Sequence, residues 1–113
     1  MLPKKRRIVK LSEWNKIHKR GVGAHSLEIV MKYLNNHTKI SRFGFIVSTK
    51  ISKKAVIRNL IKRRMRDVVE KKLVNIKEGY DIIFIAKPKI VDKNYKEIEV
   101  RVNNLLNKGK MLI

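Results

Sequence analysis

The sequence contains no cysteine, which excludes a disulfide framework, a thiolate nucleophile and a thiolate metal site, and suits a reducing compartment. Carboxylates are scarce as well: nine Asp and Glu face 29 Lys and Arg, leaving a formal charge of +20. With so few acids, metal-assisted phosphodiester hydrolysis would have to borrow its ligands from elsewhere. The three histidines, His18, His25 and His37, lack metal-ligand spacing, and no glycine-rich phosphate loop follows a predicted strand. No catalytic residue and no metal ligand is therefore assigned. The longest apolar runs, such as 82–86, stop far short of the roughly 20 residues of a membrane-spanning helix. No apolar export segment follows Lys4-Lys5-Arg6-Arg7. The expected location is the cytoplasm, with no membrane partner. Residues 3–9 also fit a nuclear-import pattern, as any short basic run does.

What the chain does have is positive charge on a sequence that folds. At 43% hydrophobic residues it carries enough apolar side chains to offset ordering entropy, unlike a disordered basic tail. The 113 residues suit one domain over 1–113, with the basic termini as the segments expected to be loose. A charge of +20 works against compaction through self-repulsion, and its natural complement is a polyanion.

Ser12 is placed to cap a first helix running through Trp14, Ile17 and His18 to Arg20, with Gly21 as a left-handed stop. Residues 27–34 and 40–49, rich in β-branched and aromatic side chains and separated by Asn35-Asn36-His37-Thr38, read as a strand hairpin. Alternation puts Phe43, Phe45 and Val47 on one face of the second strand and Gly44, Ile46, Ser48 and Lys50 on the other. From 54 to 73 there is no Gly or Pro, and Ile57, Leu60, Ile61, Met65, Val68 and Val69 recur at helical spacing. Residues 80–86 predict a buried strand closed by Pro88, and 94–106 a last amphipathic helix. The order helix, strand, strand, helix, strand, helix predicts an α+β two-layer sandwich.

On the long helix, Arg58, Asn59, Lys62, Arg63 and Arg66 fall on a face opposite Ile57 and Ile61. Guanidinium forks match phosphate oxygens, lysines add compact charge, and Asn59 both donates and accepts. A solvated helix face normally mixes signs; here Asp67 and Glu70 come late and are outnumbered. Arg64 lies near the apolar stripe and is expected to extend its head to solvent. Lys50, Lys53 and Lys54 surround Ser52 at the helix start, where a cap and a phosphate contact are compatible readings. Aromatics are 6% of the chain, so each bears on whether bases have a stacking surface. On spacing alone Trp14 reads as a packing residue, and His18 as a surface histidine.

The stretch Lys53-Lys54-Ala55-Val56-Ile57-Arg58-Asn59-Leu60-Ile61-Lys62-Arg63-Arg64-Met65-Arg66 resembles the signature helix of the bacterial ribonuclease P protein subunit. The resemblance extends to Leu2-Pro3-Lys4, Ser41-Arg42-Phe43-Gly44, Val47-Ser48, Gly79-Tyr80-Asp81-Ile82-Ile83 and Ile85-Ala86. It implies a left-handed strand-helix-strand crossover, against the usual preference. It also implies a non-catalytic subunit of a tRNA-processing ribonucleoprotein, whose catalytic RNA holds Mg2+ and removes the 5′ leader of precursor tRNA. No obligate protein partner is implied. Arg58, Asn59, Lys62, Arg63 and Arg66 would dock on that RNA, helped by Lys50, Lys53 and Lys54. A cleft of Trp14, His18, Val30, Lys32, Ile46 and Ser48 would hold the unpaired leader, which turns the reading of Trp14 toward stacking. The sequence departs from the motif at Leu60, where an arginine is usual. It departs again at His18 and Lys32, where cleft aromatics are common, so leader binding is expected to lean on charge. Composition alone equally allows a ribosomal protein packed into rRNA or, less well, a DNA-binding regulator with its long helix in the major groove.

Overall fold

The computed structural model describes residues 2–113. Three helices, α1 (Leu11–Arg20), α2 (Ala55–Lys71) and α3 (Tyr95–Lys108), accompany strands β1 (Val22–His25), β2 (Ile29–Asn35), β3 (Arg42–Ile46) and β4 (Tyr80–Ala86). The strands form one sheet in the order β1-β2-β4-β3, antiparallel except for the parallel pair β3 and β4 that α2 connects. The expected α+β class holds.

The hairpin does not. Residues 27–34 and 40–49 supply β2 and β3, but β4 lies between them and pairs with both. Its residues are buried at five of seven positions, so the most apolar strand takes the centre, where both of its edges find partners. The polar segment after β2 hops over the start of β4: Asn36 N donates to Gly79 O at 2.9 Å, and Asn36 Nδ2 donates to Ile40 O at 3.0 Å. Strand β1, four residues long with Gly23 inside it, is an addition to the expected elements.

One sheet face, built from Ile29, Met31, Phe43, Ile82, Phe84 and Ala86, packs under α2 and α3 and forms the main core with Ile61, Met65, Val68, Ile98, Val102 and Leu105. Helix α3 starts with a capping box: Asn94 Oδ1 accepts from Glu97 N while Glu97 Oε1 accepts from Asn94 N. Among the described residues the opposite face carries α1 and the segment before it, joined through a small cluster of Ile8, Ile17 and Ile83.

Several local expectations fail for identifiable reasons. Lys10, not Ser12, is the N-cap of α1, and Gly21 is extended at φ −68° and ψ 148° rather than left-handed. Glycine is required there for space, since a Cβ would collide with Ile17 O and press on Tyr33 O of β2. Helix α2 is capped by Lys54 without a side-chain bond, while Ser52 Oγ accepts from Lys54 N outside the helix. Both described ends of the chain are anchored. Leu2 and Ile8 are buried, Ile8 N donates to Phe43 O at 3.0 Å, and at the other end Met111 is buried and Ile113 N donates to Asn75 O at 2.8 Å.

Candidate nucleic-acid interface

Helix α2 inserts Ile61, Met65, Val68 and Val69 into the core, and the opposite side carries the cations. Asn59 and Arg63 are exposed, Lys62 and Arg66 half-buried. Among the described residues Lys62, Arg63 and Arg66 have no ion-pair partner. Arg58 is partly engaged, Nη1 donating to Ser52 O at 2.9 Å, which ties the lysine-rich loop to the first turn. Lys50, Lys53 and Lys54 are exposed around it, and no acid stands in that turn. Uncompensated like charges beside the positive end of a helix dipole are destabilising unless an anion joins them. Arg64 departs from its expected role: Nη1 donates to Lys93 O at 3.0 Å, so it fastens the approach to α3.

Register explains the cleft. Beyond the row Leu34-Asp81-Arg42, the α1 face of the sheet presents two more, Gly23-Lys32-Ile83-Gly44 and His25-Val30-Ile85-Ile46. Helix α1 covers part of the first of these two: Ile17 packs with Ile83, and Trp14 lies against Gly44, where a Cβ would sink into the indole. Val30, Ile85 and Ile46 are only half-buried, and the small apolar cluster on this face leaves Val30 and Ile46 outside it. A hydrophobic floor thus lies open beside a half-exposed Trp14, with Lys32 along it. The structure brings Trp14, Val30, Lys32 and Ile46 to one face. His18 is exposed one turn after Trp14, and Ser48 is exposed beyond the end of β3. Sequence reasoning missed Ile85 and His25. The alternation within 80–86 would have found Ile85, whereas His25 depended on the unseen β1.

Ridge and cleft meet at the β3 edge. Residues 2–10 run along that edge, with Arg7 bridging Phe43, and are latched by Arg6, whose Nη1 and Nη2 both lie 2.9 Å from the Glu78 carboxylate. The Arg6 bonds hold the Glu78 carboxyl down, from 4.5 to about 2. Between this strap, α1 and α2 is a pocket of about 160 Å³ into which Arg7, Trp14, Lys62 and Arg66 all face. Arg7 was not among the expected contacts, and only the strap's placement on β3 reveals it.

No three His, Asp or Glu side chains converge as a metal site among the described residues. No helix among them is long and apolar enough to cross a membrane.

Fold and surface together define a class: a small α+β protein with an open sheet face and an unpaired cationic helix side. The family model for ribonuclease P matches residues 2–110. The ribonuclease P protein component of Clostridium novyi (strain NT) is 37% identical over 111 residues, covering 96% of each chain. The Staphylococcus aureus RNase P protein superposes with a TM-score of 0.89 at 29% identity, over 96% of this chain and 98% of that one. The Thermotoga maritima RNase P protein does so with a TM-score of 0.83 at 25% identity, over 90% and 96%. The chain belongs to the ribonuclease P protein family, components of the ribonucleoprotein that processes tRNA 5′ ends.

Proposed function

We propose that this protein is the RNA-gripping subunit of ribonuclease P, docking on the catalytic RNA through α2 and holding the single-stranded leader of precursor tRNA on the open sheet face. Arg58, Asn59, Lys62, Arg63 and Arg66, with Lys50, Lys53 and Lys54 at the helix start, meet phosphates of the folded RNA. Each neutralised phosphate releases counterions, which drives binding without any sequence being read. Leader bases rest on Val30, Ile46 and Trp14, with His18 and Ser48 at the margins and Lys32 neutralising the leader backbone. Hydrolysis and its Mg2+ belong to the RNA; the protein lowers the repulsion between two polyanions and so the Mg2+ concentration that assembly needs. The holoenzyme works in the cytoplasm.

The observation that carries this reading is the junction at the β3 edge, where Trp14 of the cleft and Lys62 and Arg66 of the ridge face one pocket. One continuous surface can therefore touch the leader and the catalytic RNA together. The test mixes the purified protein with its cognate catalytic RNA and a precursor tRNA at low Mg2+. Cleavage should rise strongly over RNA alone and fall back to the RNA-alone rate when Arg58, Lys62 and Arg66 are all changed to Glu in a folded variant. Equal cleavage with and without the wild-type protein refutes the reading, and co-sedimentation with ribosomal subunits instead would favour an rRNA-packing role.

A further inference from the structure

Helix α1 is held on the sheet at three places. Ile17 is buried in the small cluster, Trp14 lies against Gly44, and the Glu13 carboxylate meets the Arg42 guanidinium at 2.6 Å. The third contact differs in kind because Arg42 is itself anchored. Its Nε donates to Asp81 Oδ1 at 2.9 Å and its Nη2 to Asp81 Oδ2 at 2.7 Å. Asp81, buried in the central strand, also accepts from Asn36 Nδ2 at 2.9 Å. The Asp81 bonds raise the Arg42 pKa above its ordinary value; burial opposes this, and the Glu13 bond adds to the rise.

The placement is unexpected on charge grounds. The chain has nine acids in all, and a surface meant for a polyanion gains nothing from carboxylates, yet two of them converge on one guanidinium beneath α1. They line, with Lys16 and Asn35, a pocket of about 140 Å³. Glu13 is also the immediate neighbour of Trp14, so whatever fixes Glu13 fixes the start of the cleft wall.

We infer that Arg42 is a positioning residue: braced on Asp81, it clamps Glu13 and so sets where the first turn of α1, and with it Trp14, stands over the leader cleft. The inference rests on the reading of that cleft given above. Apolar contact through Ile17 tolerates sliding and rolling of a short helix, because packing is non-directional. A forked pair anchored on a buried aspartate does not, since its geometry is fixed at both ends.

Trp14 is the only tryptophan, so its emission reports on the helix directly. The experiment compares wild type with Glu13→Gln, nearly isosteric but uncharged, and with Lys16→Gln, which removes a charge from the same pocket without touching the clamp. Glu13→Ala is a second route should Gln keep a residual bond. In the free protein Glu13→Gln should make Trp14 more accessible to acrylamide with an unchanged far-UV spectrum, while Lys16→Gln leaves quenching at the wild-type level. In the holoenzyme, Glu13→Gln should weaken binding of a leader-bearing precursor about fivefold, the weight of a partly screened ion pair, and leave a leaderless one unaffected. Unchanged quenching in both Glu13 variants overturns the clamp, as does altered quenching with unchanged leader affinity. Should wild type bind both precursors equally, the leader reading fails, and the idea that the clamp serves the leader fails with it.

Discussion

Gly44 is the residue on which the open cleft depends most directly, because Trp14 occupies the space that any side chain there would fill. Gly44→Ala should lift the indole from the sheet, destabilise the fold by about 1–3 kcal/mol through overpacking, and increase quenching of Trp14. Thermal melts and acrylamide titration check both parts. A second residue-scale expectation concerns acid. The carboxyl of Glu78, held near 2 by Arg6 against an ordinary 4.5, contributes stability that is fully present above pH 4.5 and is lost as pH falls toward 2. Since its side chain is 47% exposed, water screens much of the gain. Glu78→Gln should therefore lower Tm at pH 7 by no more than about 4 °C, and the difference from wild type should shrink as the pH drops through that window.

At the scale of elements, α2 was legible because nothing in 54–73 interrupts a helix and its apolar residues repeat at one spacing. Strand β4 and helix α3 were readable for similar reasons, whereas the shared face of Val30, Lys32 and Ile46 came from the family resemblance, with which alternation agrees and which the register bears out. The hairpin was misread because pattern reasoning pairs neighbours in sequence, and only long-range competition reveals that β4 takes the place between them. Strand β1 escaped notice because it is four residues long and begins beside one glycine and contains another. Ser12 and Ser52 were misassigned as caps because propensity ignores where the chain enters from. Two element-scale predictions follow from packing. Met65, with none of its surface exposed, joins α2 to the core, so Met65→Ala should cost about 2–5 kcal/mol in chemical denaturation. Asn94→Ala, by removing the acceptor for Glu97 N, should cost about 1 kcal/mol.

For the whole molecule, the distribution of charge matters more than any pair. If α2 meets phosphates, affinity for the catalytic RNA falls with salt, and Lys62→Gln should reduce the slope of log K against log salt by about one. A slope unchanged in that variant would remove Lys62 from the interface. The order of the strands carries a further consequence, for birth rather than for function. Among the described strands the central one, 80–86, comes last in chain order, and without it β2 and β3 have no partner between them. A chain ending at residue 79 therefore keeps only the β1–β2 pair of the sheet, and its α2 should show little protection from amide exchange. The complete sheet must wait until residues 80–86 have cleared the ribosome, and until then part of the apolar stripe of α2 is left for chaperones to shield.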